Sequence, residues 1–259
     1  MRRAARVRPL RGLDPERLLD DPGTRQRYVT AIFDLIAPRY DAFTRWFSFG
    51  MDRAWKREVA RVAREAARGA RVVADLACGT GHLTFALTAP NLAVVGLDVS
   101  YEMLRRASTR PRSAESLAAF AAADMVRLPL ADASVDVVTI GYGLRNASHL
   151  AAALDEVARV LRPGGHVVTL DFFIPANALW RRLFLGYLAV AGNVYGWAWH
   201  GEPAAYGYIA RSIRRFVTAR MLTAELTRRG LEVYVIHRKL LGGIAIHAAR
   251  KLQGLGSGV

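Results

Sequence analysis

The stretch Arg71-Val72-Val73-Ala74-Asp75-Leu76-Ala77-Cys78-Gly79-Thr80-Gly81-His82-Leu83-Thr84 decides how the rest of this 259-residue chain is read. A short β-branched run stops at a Gly-x-Gly turn and passes into a helix-compatible segment, Leu83 to Leu87, which predicts strand, tight loop and helix start. The glycines allow steep backbone angles and let a ligand lie against the main chain without meeting a Cβ atom. That is the shape of a cofactor cradle.

A dinucleotide site wants a third glycine for helix packing and no acid beside the pyrophosphate. Here Thr84 stands where that glycine would be, and Asp75, four residues ahead of Gly79, repels phosphate but suits the ammonium of an amino-acid-like ligand. S-adenosylmethionine carries that ammonium and no phosphate. Seventeen residues past Gly81, the apolar run Leu92 to Leu97 ends on Asp98, where an acid binds both hydroxyls of a ribose. Ser100 then caps a helix with Glu102 in its first turn. Two strands each ending in a placed acid favour S-adenosylmethionine over a nicotinamide dinucleotide.

Outward from this core, apolar positions predict a helix from Thr24 to Ala37, a loop Pro38-Arg39-Tyr40-Asp41, and an amphipathic helix from about Asp52 to Arg68 stopped by Gly69. These helices precede the cofactor strand and are expected to cover the site. Downstream, Leu117 to Ala123 reads as a third strand ending at Asp124, an acid positioned for an adenine amine. Val135 to Ile140 reads as the fourth, followed by the loop Gly141-Tyr142-Gly143-Leu144-Arg145-Asn146. A helix with Leu150, Leu154, Val157 and Leu161 on one face is then broken by Pro163-Gly164-Gly165, and His166 to Phe172 forms strand five. The alternation predicts a doubly wound, Rossmann-like α/β fold with a mostly parallel sheet and ligands at the strands' carboxyl ends.

Residues 173 to 217 break the alternation. Leu183 to Trp199 carries no charge, but Gly186, Gly192, Asn193 and Gly196 interrupt it and its 17 residues are at the short limit for a membrane span. An apolar lid or pocket wall is the main reading, with a core helix or a membrane-dipping segment as alternatives. Thr218 starts a helix that Gly230 ends, and Leu231 to His237 with Ile244 to Ala249 close the chain as strands. No internal repeat or linker marks a second domain. The expectation is one domain over 1–259: a basic arm (1–23), N-terminal helices (24–69), a cofactor core (70–172), a lid (173–217) and a closing helix and strands (218–259).

With 52% hydrophobic residues the chain can bury a full core. Cys78 is its only cysteine, so an intrachain disulfide and a cysteine-based metal site are excluded, and a cytoplasmic setting fits. Cys78 is read as a small residue that fits the cofactor loop rather than a reactive thiol. The net charge of +15 is almost all arginine, since Lys appears only at 56, 239 and 251. Such an excess is either plain solvated charge or an attraction to an anionic membrane surface, at about 1 kcal/mol per basic residue near the lipid. Nucleic acid is the weakest partner. The arginines at 2, 3, 6, 8 and 11 are not followed by an apolar core, which argues against a secretory signal.

The chain resembles the ubiquinone/menaquinone biosynthesis C-methyltransferases of the UbiE/MenG type, within the class I S-adenosylmethionine-dependent methyltransferases. The resemblance rests on Phe33-Asp34-Leu35-Ile36-Ala37-Pro38-Arg39-Tyr40-Asp41, Trp55-Lys56-Arg57, the loop Asp75 to Gly81, Gly143-Leu144-Arg145-Asn146, Val160 to Gly165, and Ser212-Ile213 before Phe216. It implies a seven-stranded sheet with an antiparallel last strand, and cofactor contacts at Thr80, Asp98 and the Asp124-Met125 pair, joined by Asp75, Gly79, Gly81 and Gly141. It further implies a polar group of Asp98, Arg145 and Asn146 near the methyl donor, and a lipophilic quinol as substrate. Three positions depart from the pattern: His82 for an acid, Gly141 for a serine, and Arg211 for an acid.

Methyl transfer needs alignment and exclusion of water rather than a metal. A ring carbon attacks only from the reduced quinol after a ring hydroxyl loses its proton. Arg145 reads as a cationic stabiliser of that phenolate with Asn146 orienting it, or as a loop pin paired with an acid. Direct base action fits a guanidinium poorly. His149, His200, Tyr142 and Tyr206 are proton carriers by type, though structural roles are commoner for such residues. A base-modifying nucleic-acid enzyme would carry a Pro-Pro-aromatic motif after strand four, and none is there. A metal-dependent catechol-type enzyme would need an Asp/Asn cluster after strand five, where only Asp171 stands. A methyltransferase of another apolar small molecule, such as a phospholipid or polyketide, and a non-catalytic binding protein remain as other readings. A homodimer is left open.

Overall fold

In the computed structural model, residues 22–111 and 117–253 are described, so residues 1–21 of the basic arm, 112–116 and the last six residues lie outside it. Helix α1 (Pro22–Ile36), a 3-10 turn (Ala37–Arg39), α2 (Tyr40–Phe47) and α3 (Met51–Ala66) lead into the alternating core. The core runs β1 (Val72–Leu76), α4 (His82–Leu87), β2 (Ala93–Asp98), α5 (Tyr101–Ser108), β3 (Ala118–Ala122), β4 (Val135–Gly141), α6 (Leu150–Val160) and β5 (Leu161–Phe172). Then come α7 (Ala178–His200), α8 (Ala204–Arg214), α9 (Ala219–Thr227), β6 (Leu231–Lys239) and β7 (Ile244–Lys251). The seven strands form one sheet in the order β3-β2-β1-β4-β5-β7-β6, as the doubly wound expectation requires.

β1 pairs in parallel with β2 on one side and β4 on the other, so the chain reverses its winding between β1 and β4. Crevices that take ligands open at the carboxyl ends of strands at such a switch point. The apolar runs read from sequence are apolar because both sheet faces are covered: Val73, Ala74 and Leu76 are fully buried. β7 runs antiparallel to both β5 and β6 and is inserted between them, leaving β6 at the edge.

Three sequence readings are corrected. Pro38-Arg39-Tyr40-Asp41 is not a loop: Pro38 opens a 3-10 turn and Tyr40 the next helix, because a first-turn residue needs no N–H donor. Pro163-Gly164-Gly165 does not separate α6 from strand five. β5 already pairs with β4 at Leu161, and the pairing jumps to His166, so the Pro-Gly-Gly segment bulges out between them. Nor do the glycines interrupt the apolar segment, which is the continuous helix α7, begun by the Asn177 side chain accepting from the Trp180 N–H. Gly192 and Gly196 face α8, where a Cβ would stand 2.7 Å from the Tyr206 carbonyl oxygen and 2.6 Å from that of Glu202. They buy close helix packing.

α7 and α8 form a second core with α1 and α2, in which Phe43 stacks on Tyr206 at 3.7 Å and 10°. This helical layer sits over the carboxyl ends of the strands. No described helix is long and apolar enough to cross a membrane.

Candidate active site

Two adjoining cavities meet at the Gly79 turn and share Tyr40, Ala77, Gly79, Gly141 and Tyr142. The larger is lined by Asp98, Asp124, Met125 and Asn146, with Gln26, Val29 and Phe33 of α1 closing it from above. The smaller is lined by Lys56, Asp75, Thr80 and His82. Asp75, Gly79, Thr80, Asp98, Asp124, Met125, Gly141 and Asn146 therefore line two cavities that share the Gly79 turn. Gly81 is not part of the lining; at φ +80° it ends the turn and starts α4.

Each acid in this space keeps acceptor capacity. The Asp98 carboxylate takes the N–H groups of Gly79 and Ser100, both at 2.8 Å. That uses two of about four lone-pair sites and leaves the others to the cavity. Asp75 is fully buried and takes the hydroxyls of Thr84 at 2.6 Å and Thr139 at 2.7 Å. Burial pushes both carboxyls up to about 6. Carboxylates raised this way gain from any cation or hydroxyl donor that enters. Asp124 turns one oxygen to the Val126 N–H at 3.1 Å.

Main-chain geometry makes room for a ligand. Gly79 has φ +55°, and a Cβ built there has only Tyr40 as a neighbour, at 4.0 Å, so it would project into open space. Tyr142 holds φ +62°, a costly conformation for a bulky residue, pinned by its N–H to the Leu170 carbonyl at 2.6 Å. Cys78 is a wall residue whose thiol burial pushes far up, which leaves it protonated and unreactive.

Arg145 stands behind the wall rather than in it. Its Nη1 bonds Asp171 Oδ1 at 2.7 Å and the Tyr142 carbonyl at 2.8 Å, with the ring of Phe172 5.2 Å from the guanidinium. Burial opposes its charge, but Asp171 reverses the effect and raises its pKa, so Arg145 stays protonated. Of the two sequence readings, the geometry is that of the loop pin. Asn146 makes no hydrogen bond to Arg145 among the described residues. Its Nδ2 shares the Tyr142 carbonyl at 3.1 Å, and its Oδ1 accepts from the Tyr208 phenol on α8. Asn146 thus ties the β4 loop to the lid while facing the cavity.

The other proton-carrier types separate cleanly. Tyr142 lines both cavities, and burial pushes its phenol well above the ordinary value, so it is a donor and not a base. His149 is exposed, while His200 faces Tyr206 at 3.2 Å outside the lining of either cavity.

Sequence reasoning missed the Asp41 junction. Asp41 accepts from Thr80 Oγ1 at 2.7 Å and also pairs with Arg110 and His82, joining α2 to the cofactor turn and to the residues after α5. Burial alone would raise this carboxyl, but bonds from His82 and Thr80 and the Arg110 charge hold it at about 2. The departure His82 belongs to this junction. The run Pro38 to Asp41 was visible, but its partners lie 39 to 69 residues away. Asp171 and Tyr208 were missed for the same reason.

A switch-point pocket with an acid at the ends of β1 and β2, a glycine turn between them and an antiparallel seventh strand defines a class I S-adenosylmethionine-dependent methyltransferase. The YcgJ protein of Bacillus subtilis shares the fold, with a TM-score of 0.57 at 17% identity over 76% of this chain and 99% of that one. Residues 22–251 match the ubiE/COQ5 methyltransferase family, and the chain belongs to it. It is 34% identical to a ubiquinone/menaquinone biosynthesis C-methyltransferase UbiE of Rubrivivax gelatinosus, over 89% of this chain and 90% of that one. It is 39% identical to a demethylmenaquinone methyltransferase of Beutenbergia cavernae, over 86% and 91%. The protein is a methyltransferase enzyme, and its cofactor is S-adenosylmethionine.

Proposed function

We propose that the enzyme methylates a ring carbon of a reduced prenylated quinone, a demethylmenaquinol or a polyprenyl benzoquinol. What supports this is one arrangement in a chain whose relatives are named for that chemistry. Asp98, Asp124, Met125, Tyr142 and Asn146 line one cavity with Gly79, and its cover from α1 is Gln26, Val29 and Phe33.

In this reading Asp98 takes the ribose hydroxyls, Asp124 the adenine amine, and Met125 packs on the adenine ring. Gly79, Thr80 and Gly81 shape the turn, Asp75 attracts the ammonium, and Gly141 lets the Leu83 side chain pack against the β4 end, where a Cβ would stand 2.7 Å from it. S-adenosylmethionine supplies an electrophilic methyl on a sulfonium. The residues around it hold the acceptor in line and keep water out, which is where most of the acceleration in a displacement of this kind originates. Tyr142 and Asn146 offer hydrogen bonds to the quinol oxygens. Arg145 acts through them as a positioning residue, because its ion pair fixes the Tyr142 carbonyl. Across the reaction a C–C bond forms, the C–S bond breaks, and one proton leaves the ring.

Residues 22–253 work as one domain, with α7 and α8 as the lid. The outer side of α7 exposes Leu179, Leu183, Val190, Val194 and Trp197, beside exposed Trp46 and Phe49. Together with the +15 charge, this face suits peripheral contact with an anionic membrane surface.

The test is anaerobic incubation with S-adenosylmethionine and either reduced or oxidised demethylmenaquinone, read by mass spectrometry. A methylated product from the quinol alone is expected. Product from the oxidised quinone without reductant contradicts the chemistry, and methylation only of a phospholipid or polyketide transfers the enzyme to that class.

A further inference from the structure

A third cavity, about 380 Å³, opens between α2, α3 and α7 and is walled on one side by Phe172. Its wall is carbon: Phe47, Trp55, Phe172, Phe184 and Leu188, with Leu240 at one end. Few polar side-chain atoms belong to its lining residues, and those of Trp180, Tyr187 and Ser48 have partners. Trp180 Nε1 donates to the Leu240 carbonyl at 2.8 Å, the Tyr187 hydroxyl donates to the Phe47 carbonyl at 2.8 Å, and Ser48 Oγ accepts from the Asp52 N–H at 3.1 Å. Water entering this space meets an almost wholly carbon wall, so the favourable occupant is apolar.

The cavity is not a packing void sealed in the core. Its mouth is formed by Phe49, Met51, Leu183 and Tyr187, which are 77%, 36%, 57% and 39% exposed. Leu183 also belongs to the exposed apolar side of α7, so the mouth opens beside that face. At the inner end only one pair of rings separates it from the active site. Phe172 lines the third cavity, Tyr142 lines the first two, and their ring centres are 5.3 Å apart. The same boundary is crossed on α3, where Trp55 lines the apolar cavity and Lys56 the cavity holding Asp75.

We propose that this cavity is the subsite for the isoprenoid tail of the substrate, entered between α2 and α7, with the Phe172–Tyr142 pair swinging apart to pass the covalently attached quinol ring through to the methyl donor. The assignment rests on the quinol reading given above. It explains why an enzyme with a compact polar cofactor site carries a large dry cavity one ring away from it. The tail's burial there supplies binding energy remote from the reacting carbon, which fixes the ring's position.

Two variants on opposite walls test this: Leu183→Asp on α7, which puts a charge into the dry cavity, and Met51→Trp on α3, which fills its mouth. Both are assayed in detergent solution with a prenylated demethylnaphthoquinol and with its tail-less counterpart, and S-adenosylmethionine affinity reports on the fold. The KM for the prenylated acceptor should rise about tenfold or more, while kcat/KM for the tail-less acceptor stays within about twofold, since a factor of ten corresponds to about 1.4 kcal/mol of lost tail binding. Binding of geranylgeraniol, read by tryptophan fluorescence, should weaken alongside. Equal losses on both acceptors, or an unchanged KM for the prenylated one in both variants, overturn the proposal. Should the wild-type protein bind geranylgeraniol in a manner that both variants abolish yet methylate no quinol, the cavity assignment stands and the substrate reading falls.

Discussion

Nη1 of Arg145 lies 2.7 Å from Oδ1 of Asp171, and the two side chains are 5% and 1% exposed. The backbone N–H of Arg145 bonds the other Asp171 oxygen at 3.2 Å, so one carboxylate holds both the main chain and the side chain of the residue before Asn146. An ion pair this buried is expensive to break from one side, because the survivor is left charged and without a partner.

Arg145→Ala should therefore destabilise the protein by about 3–5 kcal/mol, the cost typical of removing one partner of such a pair. Asp171→Ala should cost a similar amount. Turnover should fall steeply in both, while cofactor affinity measured below the melting transition changes little, because neither side chain lines the cofactor cavity. Denaturation curves and calorimetry on each variant check this. A stable Arg145→Ala protein with slow turnover would mean that the guanidinium serves the reaction directly.

Cofactor binding should depend on pH in a direction fixed by the two raised carboxyls. Asp75 and Asp98 sit near 6 in the folded protein against ordinary values near 4. They grip a cation and hydroxyls when ionised, so affinity should be flat above about pH 7 and fall about tenfold per carboxyl for each unit below 6. For the ligand-free fold the sign is opposite: the burial cost of these two groups is fully present above 6 and disappears as pH falls toward their unfolded value. His247 works against that gain, because burial lowers it to about 4 and its contribution to stability is lost as pH falls from 6.5 through 4. The quantity to follow is thus the cofactor-induced rise in Tm, which should shrink below pH 6. A rise that is constant from pH 5 to 8 would contradict the account.

Asp41→Asn should loosen the helical cover more than it unfolds the chain. The Asp41 side chain is 42% exposed, so its pairs with Arg110 and His82 contribute about 1 kcal/mol or less to stability. They nonetheless connect α2 to Thr80 and to Arg110. Stopped-flow release of the cofactor should accelerate several-fold with Tm nearly unchanged, whereas an unaltered release rate would show that α2 does not gate the site.

Val190→Glu with Val194→Glu should abolish co-sedimentation with anionic vesicles and leave turnover of detergent-dispersed quinol intact. Both residues are on the exposed side of α7, at 66% and 57%, and each costs about 1–3 kcal/mol of apolar burial if that side enters lipid. Retained sedimentation would remove this helix from the membrane contact.

The strand-turn-helix at Val72 to Leu87 was legible because it is local: β-branched run, positive-φ glycines and helix start lie within one short stretch. So were the acids at the strand ends and the closing pair of strands, whose antiparallel member came only from the family resemblance. Pro38 and Pro163-Gly164-Gly165 misled because a proline or glycine marks a turn only when its surroundings do not absorb it, as a helix's first turn and a strand bulge do here. The continuity of α7 was hidden because Gly192 and Gly196 answer to the backbone of α8, not to their own helix. Arg145 could be read either way from sequence, and its partner Asp171 on β5 decides the geometry.

The most direct test is isothermal titration of S-adenosylmethionine into the wild-type enzyme and into Asp98→Ala at pH 7.5. One saturable site is expected in the wild type, weakened about a hundredfold or more in the variant, since two charge-assisted bonds at about 1.5–3 kcal/mol each are lost. Equal affinity in the two proteins would contradict the claim that the acid ending β2 holds the nucleoside, and no heat from the wild type would remove the pocket itself from the reaction.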